Sequence, residues 1–187
     1  NLMYIFQNKD LKKNLDKIIL KKKKIKLFKK NIENINNKEG FITFNKKKIF
    51  YDLIILCTGG RSNFYSMIEE ERSIKKDYKE IALTTIIKHN AKIVNVSQFF
   101  LKEGPLAILP FQKKAFSTVW SVSNEFFDVN TKTIKKILTE KLRMLLKVKG
   151  IKNIVNIQSF PINLNLKTRY FKKNVLILGD GLHTVHP

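Results

Sequence analysis

The chain has 187 residues, enough for one sizeable core or two small ones. Its 37 basic against 15 acidic residues give a formal net charge of +22, yet the excess is nearly all Lys. Arg, the residue best suited to base and phosphate recognition, occurs only at Arg61, Arg72, Arg143 and Arg169, which argues against nucleic acid as a partner.

A single cysteine, Cys57, rules out an internal disulfide and points to a reducing, cytoplasmic setting. No apolar run reaches transmembrane length or has signal-peptide character. The abundance of Lys, Ile and Asn is what an AT-rich coding sequence produces. The diffuse positive charge it leaves is compatible with weak attraction to anionic lipid on the inner face of a membrane. The chain opens on Asn and closes on a motif, so a fragment of a longer protein is expected.

Residues 4–6 are apolar, and Asp10 is placed to cap a helix in which Leu11, Leu15, Ile18 and Ile19 recur at helical spacing. Four consecutive lysines at 21–24 read as a solvated helix end or turn. Strands are predicted over 25–35, 41–44 and 49–57, with turns at 36–40 and 45–48. The last of these is uniformly apolar after Asp52, as a strand covered on both faces would be, which makes Cys57 a buried, inert thiol. It ends in the sharp turn Thr-Gly-Gly-Arg-Ser at 58–62.

Residues 66–79 read as loop with some helix. Residues 80–89 and 92–101 read as strands joined near Asn90 and Ala91. The two prolines within 103–111 predict an extended segment at a sheet edge or crossing a cavity. A strand over 115–123 follows. A helix capped by Asn130 or Thr131 then runs to about Lys147, with Ile134, Ile137, Leu138, Leu142 and Leu145 on one face. Strands over 151–160 and 175–178 complete the series.

Two apolar strands, each ending in a glycine turn, therefore bracket a mostly antiparallel sheet. This is a mixed α/β (α+β) pattern: a cofactor-binding layer interrupted by an inserted β-rich domain. The second turn, Gly-Asp-Gly-Leu-His-Thr-Val-His-Pro at 179–187, is the main candidate site. A carboxylate held at the C-terminal end of a strand suits hydrogen bonding to a ligand hydroxyl. Pro187 is placed to open a helix. His183 and His186 stand three apart, but no third ligand stands at useful spacing, so capping or packing is favoured over a metal. No nucleophile–base pair is evident, and no catalytic side chain is assigned.

Three stretches carry a resemblance: the Gly-Pro-Leu-Ala-Ile-Leu-Pro string at 104–110, the Asp52 to Ser62 strand and turn, and the closing Gly-Asp-x-x-His-x-x-His-Pro. With Tyr-Ile-Phe-Gln-Asn-Lys-Asp-Leu at 4–11, Asp77-Tyr78, Ala82 and Val119-Trp120, the chain resembles the FAD-dependent aromatic hydroxylases of the para-hydroxybenzoate hydroxylase fold. It looks most like the branch that hydroxylates ubiquinone precursors. The likeness runs over nearly the whole chain.

The resemblance implies part of an FAD-binding Rossmann-like domain (1–65 and 171–187) and an inserted, mainly antiparallel β substrate domain (66–170). It implies FAD as cofactor, with Gly179 and Asp180 at its ribityl or ribose portion. Pro187 would open the helix facing the flavin ring, and Asn8 would be a weaker cofactor-side contact. Leu109 and Pro110 would lie beside the ring at the substrate cavity. The implied reaction is hydroxylation of a hydrophobic phenolic ring, prenylated in that branch, by O2 with NAD(P)H as reductant. Such a substrate would require peripheral association with a membrane or a biosynthetic complex.

The sequence departs from the pattern at two places. Thr58 stands where the family turn carries Asp, which weighs against efficient reduction by NAD(P)H, and Gly181-Leu182 replaces Ala-Ala. The Gly-x-Gly-x-x-Gly segment that holds the FAD pyrophosphate does not occur in these residues, so the chain alone is not expected to bind FAD tightly. Three alternatives compete: a flavin reductase or halogenase of the same fold, a basic nucleic-acid- or lipid-binding module, and a degenerate or truncated gene product. The lone tryptophan argues against the halogenase.

Overall fold

The computed structural model describes residues 5–59, 62–65, 73–90, 95–146 and 150–184. In chain order they form α1 (Asn8–Leu20), β1 (Asn34–Asn36), β2 (Phe41–Phe44), β3 (Lys47–Phe50), β4 (Ile54–Leu56) and β5 (Ser73–His89). There follow β6 (Ser97–Leu101), β7 (Gly104–Gln112), β8 (Ala115–Ser123), α2 (Asn124–Asn130) and α3 (Ile134–Leu146). The chain continues with β9 (Ile151–Lys167), β10 (Phe171–Lys172), β11 (Val175–Ile177) and β12 (His183–Thr184). The result is the expected mixed α/β class, dominated by antiparallel sheet.

The chain divides into two compact units, residues 1–25 with 79–162 and residues 26–78 with 163–187. In the first, the sheet order is β9-β5-β8-β7-β6. The register Leu83↔Trp120 and Leu106↔Trp120 aligns one apolar row across three strands. That row packs on α3, whose Ile134, Leu138 and Leu142 recur at helical spacing and are buried. The hydroxyl of Thr85, buried on the same face, donates to the Val155 carbonyl at 2.8 Å.

Three features here differ from expectation. The predicted helix begins later, as α3 at Ile134, and an additional helix, α2, precedes it. Asn130 Nδ2 and Thr131 Oγ1, expected to cap the start of the predicted helix, instead donate to the Phe126 and Phe127 carbonyls at the end of α2. Ser123 caps α2 by accepting from the Phe126 N–H at 3.1 Å. The proline-bearing segment is an interior strand, β7, rather than an edge. Pro105 stands second in that strand and Pro110 at a register shift, positions where a missing N–H is tolerated. In α1 the helical spacing holds but Gln7 takes the cap position, with Asp10 in the first turn.

The second unit joins the meander β1-β2-β3 to the sheet β10-β11-β4. Its core is Ile35, Ile54, Leu56, Tyr65, Val175 and Ile177. The predicted strand over 25–35 shrinks to its last residues, while β2 has the expected bounds. The predicted strand 49–57 is interrupted at residues 51–53. Ile54 and Leu56 point into the core while Leu53, Ile55 and Cys57 are exposed, so the two-sided burial expected for this strand, with its buried thiol, is corrected. Period-two alternation places Cys57 on the outer face with Ile55. Residues 73–79, expected as loop or helix, are the start of β5.

Candidate functional site

The two apolar strands that bracket the antiparallel sheet in sequence lie side by side. β11 pairs with β4 in parallel, with Val175↔Ile54 and Ile177↔Leu56 in register. The Leu178 N–H continues the ladder to the Leu56 carbonyl at 3.0 Å. Both strands therefore end at one level, and the turns that follow them, Thr58-Gly59 and Gly179-Asp180-Gly181, open from neighbouring C-terminal strand ends. Crevices of this kind bind ligands in α/β sheets.

Each turn depends on its glycine. Gly59 and Gly179 both have φ of +74°, and a Cβ built at either meets nothing within 4 Å. The glycines are thus required by conformation rather than crowding, and the space above them is open. Asp180 lies in a 3-10 turn with its side chain exposed. The turn is closed by the Leu182 N–H donating to the Gly179 carbonyl at 2.8 Å and by Thr184 Oγ1 donating to the Asp180 carbonyl at 3.3 Å. These bonds occupy the Asp180 carbonyl and leave its carboxylate exposed.

On the β4 side, Thr58 Oγ1 donates to the Tyr65 phenol oxygen at 3.0 Å, and Tyr65 is buried. The Lys167 ammonium lies over the Tyr65 ring, 5.0 Å from its centroid. The Lys167 N–H donates to the Leu182 carbonyl at 3.1 Å. Tyr65 and Lys167 were not singled out by sequence reasoning. The available signal was an aromatic residue a few positions beyond a glycine-rich turn.

Of the residues assigned from sequence, Gly179 and Asp180 occupy this strand-end turn. Asn8 opens α1 and is exposed, in the other unit. Leu109 and Pro110 are half-buried in β7, also in that unit. Leu109 pairs with Ser117 and Pro110 with Phe116, so alternation sends them to opposite faces of the sheet. Leu109 shares its face with Ala107, Ser117, Val119 and Thr84, a half-buried row of small and hydroxyl side chains. Pro187 and His186 lie outside the described residues, as do Gly60 and Arg61.

His183 is exposed and meets Tyr170 edge to face at 5.8 Å. Among the described residues no group of three or more His, Cys, Asp or Glu could hold a metal. Trp120 is fully buried and packs edge to face on Phe126, a core role.

The residues present fit a flavin nucleotide: an exposed carboxylate at a strand end and two glycine turns with open space where a Cβ would stand. No protein-family profile matches the sequence, and no curated protein matches it. Solved structures do resemble it. PqsL, a probable FAD-dependent monooxygenase from Pseudomonas aeruginosa, superposes with a TM-score of 0.73 at 18% identity, covering 98% of this chain and 54% of that one. The flavin-dependent brominase Bmp2 gives 0.72 at 9% identity, covering 97% and 50%. The myxobacterial chondrochloren halogenase CndH, a variant of the FAD-dependent halogenases, gives 0.64 at 12% identity, covering 84% and 41%. The chain thus spans about half the length of these structures. Within that span it has the fold shared by FAD-dependent monooxygenases and halogenases.

Proposed function

We propose that the chain carries the substrate sheet and one strand-end turn of an FAD-dependent monooxygenase that hydroxylates a hydrophobic phenolic ring. The observation that carries this is the parallel pairing of β4 with β11, which brings Thr58-Gly59 beside Gly179-Asp180. Asp180 would accept from the ribityl or ribose hydroxyls of FAD, and Gly179 would let the backbone approach the cofactor. Pro187 is assigned to the helix start that follows. When bound, reduced flavin supplies the activation of O2.

The chain's own residues bind and orient. The row of Leu109, Ala107, Ser117, Val119 and Thr84 offers an apolar face with two kinds of hydroxyl, suited to a ring bearing a phenol and an apolar tail. Pro110, on the opposite face, shapes the strand that carries Leu109. No acid–base side chain is required of the chain, because an electron-rich phenol is itself reactive toward activated oxygen. Asn8 is retained as a cofactor-side contact of lesser weight. A prenylated, ubiquinone-precursor substrate would bring the protein to a membrane surface or a biosynthetic complex on the cytoplasmic side, and the diffuse lysine charge favours the former. No described helix is long and apolar enough to cross a membrane.

The balanced reaction consumes one O2, one NAD(P)H and one proton per ring hydroxylated and releases one water and NAD(P)+. The test is a single-turnover assay on the protein expressed with its flanking coding sequence, using 18O-labelled O2 and a phenol with an apolar tail. One labelled oxygen should enter the ring. Consumption of NAD(P)H with no labelled phenol, or halogenation in the presence of halide, would contradict the assignment.

A further inference from the structure

Tyr65 and Lys167 connect the two glycine turns, and neither belongs to the cofactor contacts proposed above. The strand ladder carries as far as the Leu178 N–H and the Leu56 carbonyl. Beyond it the connection runs through side chains. Thr58 Oγ1 bonds to the Tyr65 phenol, Lys167 Nζ covers the Tyr65 ring, the Lys167 N–H holds the Leu182 carbonyl, and the Leu182 N–H closes on Gly179. Each link has a physical basis: a hydroxyl pair at 3.0 Å, a cation over an aromatic face and two backbone bonds. Tyr65 is 4% exposed, so its ring is fixed by the core and cannot follow a moving turn.

We infer that Tyr65 and Lys167 are a positioning couple that sets the spacing between the Thr58-Gly59 and Gly179-Asp180 turns, and so the affinity for the ligand that spans them. The affinity half of this inference rests on the flavin assignment; the spacing half does not. Phe at position 65 keeps the ring and its face but removes the bond to Thr58. Met at 167 keeps the stem but removes the cation, whereas Arg retains it and stacks on aromatic faces.

Backbone amide exchange on protein expressed with its flanking coding sequence reads both sides of the couple, through the Phe64 N–H, which donates to Ser62 Oγ at 3.3 Å beside Tyr65, and the Leu182 N–H, which closes the Gly179 turn. Lys167→Met should speed exchange at both amides by about fivefold, the factor a cation–π contact of ordinary strength controls. Lys167→Arg should restore it, and Tyr65→Phe should also speed both. Amides of β7 and β8 should keep their wild-type rates. Equal rates in Lys167→Met and Lys167→Arg, or a change confined to one turn, would overturn the couple. If Tyr65→Phe fails to fold, the Lys167 pair alone decides. In the flavin-loaded protein, Lys167→Met should weaken FAD by about fivefold and Lys167→Arg should not. If the exchange pattern holds while Asp180→Ala leaves FAD affinity unchanged, the couple stands and the flavin assignment falls.

Discussion

Gly179 has a left-handed φ with open space around the position a Cβ would take, so Gly179→Ala should cost conformational strain alone. The expected loss is about 1–2 kcal/mol. Urea denaturation checks this, and an unchanged midpoint would mean that the turn relaxes. His89 presents the opposite situation. It is 2% exposed, both ring nitrogens lack partners among the described residues, and its ring lies 5.3 Å from that of Phe116. Burial holds its pKa below the ordinary value.

The folded state therefore binds fewer protons at this site than the unfolded chain does. Its contribution to stability is intact above the unfolded pKa of about 6.5 and is lost as pH falls from there toward the lowered folded value. His89→Phe should flatten the stability profile between pH 7 and pH 5 in denaturant titrations. An unchanged slope would place the pH dependence elsewhere. Glu103 also has a depressed pKa, chiefly through its 2.9 Å bond from Lys141, and its contribution is lost at more acidic pH. The two groups thus act in separate windows.

At the scale of elements, the sequence was most legible where one period dominated. The strand at 115–123 and the strand at 41–44 have the expected bounds, since alternation and flanking turns agree there. It was least legible where a polar side chain bonded locally. By pattern Asn130 and Thr131 start a helix, yet their side chains bond to carbonyls at the end of another. The same compositional signal marks both helix ends, and only the partner distinguishes them.

Ser123 is the last residue of a strand, as its pattern predicts, and is also a helix cap. Ser123→Ala should cost about 1 kcal/mol, measurable by thermal or chemical denaturation. No loss would mean that the Phe126 N–H finds another acceptor. The prolines of β7 misled for a different reason. The rule that places proline at edges has its exceptions at strand starts and bulges, and a bulge cannot be seen in an apolar string. Cys57 followed the same logic, because an apolar run does not reveal whether one face or two are covered.

For the molecule as a whole, the sequence placed the two glycine turns correctly at strand ends but could not show that they are neighbours. Residues 54–56 and 175–177 are separated by most of the chain, and only the parallel ladder joins them. The likeness to the folds of flavin-dependent monooxygenases and halogenases runs over nearly the whole chain, both turns included. Tyr65 and Lys167 escaped notice because their significance lies in tertiary contacts between segments distant in sequence.

The proposed hold of the Gly179-Asp180 turn on a flavin nucleotide runs through the Asp180 carboxylate. Flavin content and FAD dissociation constants for wild type and Asp180→Ala decide it, in protein expressed with its flanking coding sequence. The wild type should purify with a flavin absorbance band, and Asp180→Ala should bind FAD at least about tenfold more weakly, the loss of one hydrogen bond to a charged acceptor. A colourless wild-type protein that takes up no FAD, or equal affinities in the two proteins, would rule that hold out.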